Sequence, residues 1–283
     1  MSAPSVLIVG ATRGLGAALT TYYANQVVHG TAWRVYATTR SSEPPSDDWA
    51  RKENVFWLLG VDLKKGPEAA KSLADQVAAK LKVGAGERLN TVIITAGYFA
   101  TEDFGQAKWS EEVKMYTLSS VAPVFVVQEL VEQRLVFAKD EKEGGEGTTK
   151  VILVSSESGS ITLRHEQEGG GNFGHHGSKA ALNMVGKQLS FDLKPKGVAV
   201  AIVHPSFMRT DMTKGVGFDK FWDKGGALPP DQAAKILADW VEKDFSIELT
   251  GTYWAPRGTK DIGNWEAVFG EDKAKEGPVQ LPW

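Results

Sequence analysis

The chain has 283 residues, 42% of them hydrophobic, enough to bury one sizeable core and so to form a single large domain over 1–283. Its 32 basic and 35 acidic side chains leave a net charge of −3 with no Lys/Arg stripe, which argues against nucleic acid and anionic membrane as partners and for a small molecule. No cysteine is present, so disulfides, thiolate metal ligands and a cysteine nucleophile are excluded together. No metal site is expected, the longest apolar runs are too short to span a bilayer, and a cytoplasmic protein is the expectation.

Taken in chain order, short β-branched runs at 5–10, 33–38, 55–60, 91–95, 150–155 and 198–203 read as strands, with a last one at 251–254. Helical stretches fall between them at 15–29, 67–82, 109–138, 175–194 and 230–243, the last with Pro230 in its first turn. The segments 40–48, 139–149 and 164–174 read as loops. This alternation predicts an α/β fold, a doubly wound parallel sheet with helices on both faces.

The first strand runs into GATRGLG, with Gly10, Gly14 and Gly16 at a GxxxGxG spacing. Glycines at a strand-to-helix turn let the backbone approach a pyrophosphate, whose charge then rests on the helix N-terminus. The chain here resembles the short-chain dehydrogenase/reductase family, which uses this spacing. The resemblance implies a Rossmann-type sheet of about seven strands and a cofactor loop made of Gly10, Thr12, Arg13, Gly14, Leu15 and Gly16. Where relatives that take NAD carry an acidic residue after the second strand, this chain has Arg40, and Arg13 lies in the glycine loop. Two guanidiniums suit a 2′-phosphate, so NADP(H) is the implied cofactor. Further matches are Asp62 and Leu63 at the adenine, Ala96 and Gly97 in ITAGYF with Thr95 standing at an Asn position, and Pro205 and Thr210 in HPSFMRT, where Ser206 replaces a Gly.

The family's catalytic set is Asn, Ser, Tyr and Lys. Ser156 and Lys179 match it, His175 stands at the tyrosine position four residues before Lys179, and Ser119 falls at the Asn position. With a lysine ammonium roughly 5 Å away, repulsion at an effective dielectric of about 20 is about 3 kcal/mol, near two pKa units. That keeps His175 neutral at pH 7. His165, His176 and His204 lie on segments expected to border the pocket.

The segment 214–226 falls where the family keeps a substrate lid, and Tyr98, Phe218 and Trp222 are candidate substrate contacts, which suit an apolar or aromatic molecule. Residues 255–283 extend beyond shorter family members. The resemblance also implies a homodimer or homotetramer paired through 109–138 and 175–194. Two functional readings follow. One is an NADP(H)-dependent oxidoreductase acting on a carbonyl or alcohol. The other is a non-redox cyclase, dehydratase or isomerase, or a cofactor-binding pseudo-dehydrogenase.

Overall fold

The computed structural model describes residues 3–136, 148–260 and 262–283. Seven parallel strands form the sheet: β1 (Ser5–Val9), β2 (Arg34–Thr38), β3 (Val55–Leu58), β4 (Thr91–Ile94), β5 (Thr149–Val154), β6 (Val198–Val203) and β7 (Thr252–Ala255). A short antiparallel strand, β8 (Val279–Gln280), closes one edge, giving the spatial order β8-β7-β6-β5-β4-β1-β2-β3 among the described residues. The eighth strand comes from the 255–283 extension, where no strand was expected.

The strands read as continuous apolar runs because both of their faces are covered. Successive residues of β1 point to opposite sides. Leu7 and Val9 pack with Leu73, Val126 and Leu182, which belong to α2 (Pro67–Ala78), α4 (Ala122–Glu132) and α5 (Phe173–Leu193). Val6 and Ile8 pack with Leu19 and Leu237, which belong to α1 (Gly14–Ala24) and α7 (Pro230–Lys243). Truncating such a leucine to alanine costs about 2–5 kcal/mol.

Besides the 67–82 stretch, which ends as a helix at Ala78, three expected helices are redrawn. The first stops at Ala24, not at 29, and Val27–Val28 pairs with Thr31–Ala32 as a hairpin. His29 and Gly30 both take positive φ, 49° and 78°, as a two-residue turn between twisted strands requires. The expected helix 109–138 is split into α3 (Trp109–Tyr116), a π-helical turn (Thr117–Val121) and α4, which ends at Glu132. Pro123 has no N–H for the carbonyl of Ser119 four residues earlier, and its ring crowds that carbonyl, so the helix widens there. Residues 137 and 138 of that expectation, and 139–147 of the next loop, lie outside the described residues, while Thr149 belongs to β5. The third, α5, starts two residues early, at Phe173, because the Glu102 carboxylate accepts the Gly174 N–H at 2.9 Å.

Candidate active site

The parallel strands all end on one side of the molecule, where the β1–α1 loop opens the site. Gly10 and Gly14 have φ of 91° and 53°, in the region glycine tolerates best. A Cβ on Gly16 would stand 2.1 Å from the Gly10 carbonyl oxygen, and one on Gly10 would stand 2.9 Å from the backbone of Ala96. Two threonines tie the loop down: Thr38 Oγ1 accepts the Gly10 N–H at 2.8 Å, and Thr95 Oγ1 donates to the Val9 carbonyl at 2.9 Å. Arg13 is the N-cap of α1 without a side-chain cap, and the first turn holds no acidic residue. The positive end of α1 is thus left for an anion.

Beside this cradle lies a cavity of about 1460 Å³ whose wall includes Arg13, Gly14, Leu15, Gly16, Thr95, Gly97, Ser156, His175 and Lys179. Pro205 and Thr210 also line it, and a Cβ on Gly14 would lie 3.5 Å from the Thr210 methyl. Tyr98 and Phe218 also line it. Other candidates lie off this wall. Gly10 and Ala96 form the layer behind the cradle, while Thr12 and Arg40 are exposed. Asp62 accepts the Lys64 backbone N–H at 3.2 Å, and Leu63 is buried in the core beside α2. Trp222, a candidate substrate contact, donates its indole N–H to Thr213 Oγ1 at 3.2 Å and is not a cavity residue.

Ser156 follows β5 directly, and its Oγ accepts the Ser158 N–H at 3.2 Å. Ser155 Oγ donates to Asn183 Oδ1 at 2.6 Å, and Asn183 Nδ2 donates to the Gly159 carbonyl at 3.2 Å. A Cβ on Gly159 would meet the carbonyl carbon of Lys179 at 2.7 Å. The missing side chain is what lets α5 lie against the Ser156 turn and bring Ser156 and Lys179 to one cavity. Lys179 Nζ donates to the Val154 carbonyl at 3.0 Å, and burial lowers its pKa to about 8. Ser119, inside the π turn, is buried, and its Oγ lies 3.7 Å from where a Gly97 Cβ would stand, with Lys179 Nζ at 3.8 Å from the same point.

His175 sits one helical turn before Lys179, its ring against Phe99 with centroids 4.1 Å apart. Its Nδ1 is buried without a hydrogen bond. Burial first, then the Lys179 charge, lowers its pKa to about 3. Desolvation, more than the Lys179 charge expected from the sequence, is the larger cause. Phe99 also meets Phe218 edge-on at 5.6 Å, and Phe218 meets Phe221 at 6.1 Å. These two phenylalanines belong to a short 3-10 turn (Phe218–Phe221) after α6 (Asp211–Gly215), inside the expected lid segment.

The loop 164–174 forms another wall. Arg164 pairs with Glu157 and, at 2.9 Å, with Glu168, and residues 164–173 line the cavity. His204 Nδ1 accepts the Glu157 N–H at 3.1 Å, and the His176 Nδ1–H donates to the Asn172 carbonyl at 2.9 Å. Sequence reasoning passed over Phe99, Asn183, Gly159 and Tyr253. Only Asn183 carried a local signal, standing four residues after Lys179 on the same helix face.

The family model described as short chain dehydrogenase matches residues 4–220. A 1-hydroxy-2-glutathionyl-2-methyl-3-butene dehydrogenase of Rhodococcus sp. (strain AD45) is 28% identical over 203 residues, 71% of this chain and 77% of that protein. An uncharacterized oxidoreductase of Saccharomyces cerevisiae is 24% identical over 268 residues, 90% of this chain and 96% of that one. The NADPH-bound carbonyl reductase from chicken fatty liver superposes with a TM-score of 0.72 at 24% identity, covering 90% of this chain and 92% of its own.

Proposed function

Because the chain belongs to the short-chain dehydrogenase family, we propose that it is an NADP(H)-dependent oxidoreductase acting on a carbonyl or alcohol of an apolar or aromatic small molecule. The observation that carries this reading is the convergence of the glycine cradle, the uncapped end of α1, Ser156 and Lys179 on one cavity. The residues fit a dinucleotide. Gly10, Thr12, Gly14, Leu15 and Gly16 would take its pyrophosphate, Ala96, Gly97 and Lys179 its ribose, and Asp62 and Leu63 its adenine. Pro205 and Thr210 would flank the nicotinamide. Arg13 and Arg40 are exposed, and no ion pair engages either among the described residues, which leaves both for a 2′-phosphate.

When bound, the reduced cofactor supplies a hydride to the carbonyl carbon. Ser156 Oγ donates a hydrogen bond to the substrate oxygen, and Lys179 holds positive charge beneath it. His175, neutral and with one N–H, would hydrogen-bond the same oxygen, the proton that completes the alcohol would be drawn from solvent, and Ser119 lies buried beside Gly97 near Lys179. Tyr98, Phe99 and Phe218 form the apolar walls, and the 214–226 segment closes over the substrate.

A second reading has its own observation: the buried Nδ1 of His175 has no hydrogen-bond partner, and a neutral imidazole that orients a substrate through hydrogen bonds serves a non-redox isomerisation or dehydration. A substrate panel followed by NADPH absorbance together with product mass separates the two. Product without NADPH consumption sinks the first reading.

No described helix is long and apolar enough to cross a membrane. Trp109, Val113, Tyr116, Met184 and Phe191 are exposed on α3 and α5, and this apolar surface supports pairing into a homodimer or homotetramer.

A further inference from the structure

The extension after β7 does more than cover the surface. Tyr253 is fully buried, and its hydroxyl donates to the Ser156 carbonyl, 97 residues away in the chain. The same carbonyl accepts the Gly159 N–H at 2.9 Å, while Ser156 Oγ accepts the Ser158 N–H at 3.2 Å. The turn that presents Ser156 is therefore held at its carbonyl from two directions, one local and one from the far end of the chain.

Tyr253 is in turn fixed by the last residues. The Leu281 N–H donates to the Tyr253 carbonyl at 2.7 Å, and β8 pairs Val279 with Ala255 and Gln280 with Trp254. The Trp283 ring stacks on that of Tyr253, centroids 5.8 Å apart and 20° from parallel. The Trp283 carbonyl accepts the Thr162 N–H at 2.9 Å, so the strap also grips the chain just beyond the Ser156 turn. Leu163, Ile262, Trp265 and Leu281 pack with Tyr253 in a core of their own.

We propose that residues 279–283 are a strap that positions Ser156 through Tyr253, an inference that rests on the carbonyl-reduction reading for its catalytic consequence. A hydroxyl in a buried ring must find an acceptor, and here the acceptor is the backbone of the residue that must reach the substrate oxygen. Displacing such a group by about 1 Å is enough to cost about a hundredfold in rate.

The test uses the full chain. Tyr253→Phe removes one hydroxyl and keeps the ring, and Trp283→Ala removes the stacked ring from a half-exposed position. Amide hydrogen exchange at Ser158 and Gly159, measured without cofactor or substrate, is expected to accelerate at least tenfold in both variants. With NADPH and a reducible ketone, kcat is expected to fall about tenfold in Tyr253→Phe with the KM for NADPH unchanged, about the scale of one misplaced hydrogen bond in an active site. The double variant should be no worse than the poorer single one, because both act through one carbonyl. Unchanged exchange at both amides overturns the strap, and so does faster exchange with an unchanged kcat. A wild-type protein that reduces no ketone overturns the functional reading alone, and the exchange measurement still decides whether the strap holds the turn.

Discussion

The imidazole of His175 lies against the phenyl ring of Phe99, centroids 4.1 Å apart and 35° from parallel. Phe99 thus packs against the ring that stands where the family resemblance implies a phenol, and burial, then the Lys179 charge, keeps that ring uncharged. A neutral imidazole gives up its one proton reluctantly, so under the proposed reduction its acid catalysis would be weak. In His175→Tyr the same Lys179 charge acts in the opposite sense, because it lowers the pKa of a phenol. We expect the variant to gain reduction of activated ketones by about tenfold or more, within the worth of general acid catalysis. Initial rates of NADPH oxidation check this. A folded, NADPH-binding variant with no gain on any ketone means that Phe99 or Ser119 has altered the pocket as well.

Which parts of this site were legible in the chain follows from how local their causes are. The strands announced themselves because a strand covered on both faces is a continuous apolar run, as β6 is throughout and β1 is after Ser5. The glycine cradle was legible because its reason is a contact within a few residues, a Gly16 Cβ against the Gly10 carbonyl. Ser156, His175 and Lys179 were singled out by the family resemblance, and all three line one cavity. The π turn at Ser119 was missed although Pro123 stood in plain view, because a proline near a helix start reads as ordinary. Phe99 over His175 and Tyr253 on Ser156 had no local signal, since each joins segments far apart in the chain. The hydrogen bond from Trp222 to Thr213, nine residues earlier, carried no sequence signal either.

The low pKa of His175 makes a prediction about stability. The value is lowered from 6.5 to about 3, by burial and then by Lys179. Between those two pH values the unfolded chain binds a proton that the folded chain does not, so the unfolded state gains as pH falls. The contribution is fully present above pH 6.5 and is lost progressively toward pH 3, at up to about 1.4 kcal/mol per pH unit. Urea melts at a series of pH values should show wild type losing stability faster than His175→Gln below pH 6.5, with parallel curves above it. Parallel curves throughout mean that His175 titrates alike in both states.

Cofactor preference divides cleanly between two variants. Arg40→Ala removes one guanidinium proposed for the 2′-phosphate and is expected to weaken NADPH binding roughly tenfold, a change of about 1.4 kcal/mol, while leaving NADH binding as it was. Gly16→Ala places a methyl 2.1 Å from the Gly10 carbonyl oxygen and should abolish binding of both. Fluorescence titration reads each. Equal affinity of the wild type for the two dinucleotides, or an Arg40→Ala variant with its preference intact, removes the case for NADP(H).

Ser206 supplies the last prediction. It stands where the resembling family has glycine, and its φ is 86°, a region in which a Cβ crowds the backbone. The strain is held in place from both sides of the residue. Upstream, the His204 N–H donates to the Trp254 carbonyl at 2.8 Å; downstream, the Leu228 N–H donates to the Phe207 carbonyl at 2.9 Å. Glycine adopts this φ without penalty, so Ser206→Gly should stabilise the protein by about 1 kcal/mol, the strain relieved less the entropy that glycine adds to the unfolded chain. Ser206→Ala keeps the Cβ and should not. Chemical denaturation of the three proteins measures the difference. If alanine stabilises as much as glycine, the serine hydroxyl and not the backbone is the source of strain, and if neither does, the loop absorbs the positive φ without cost.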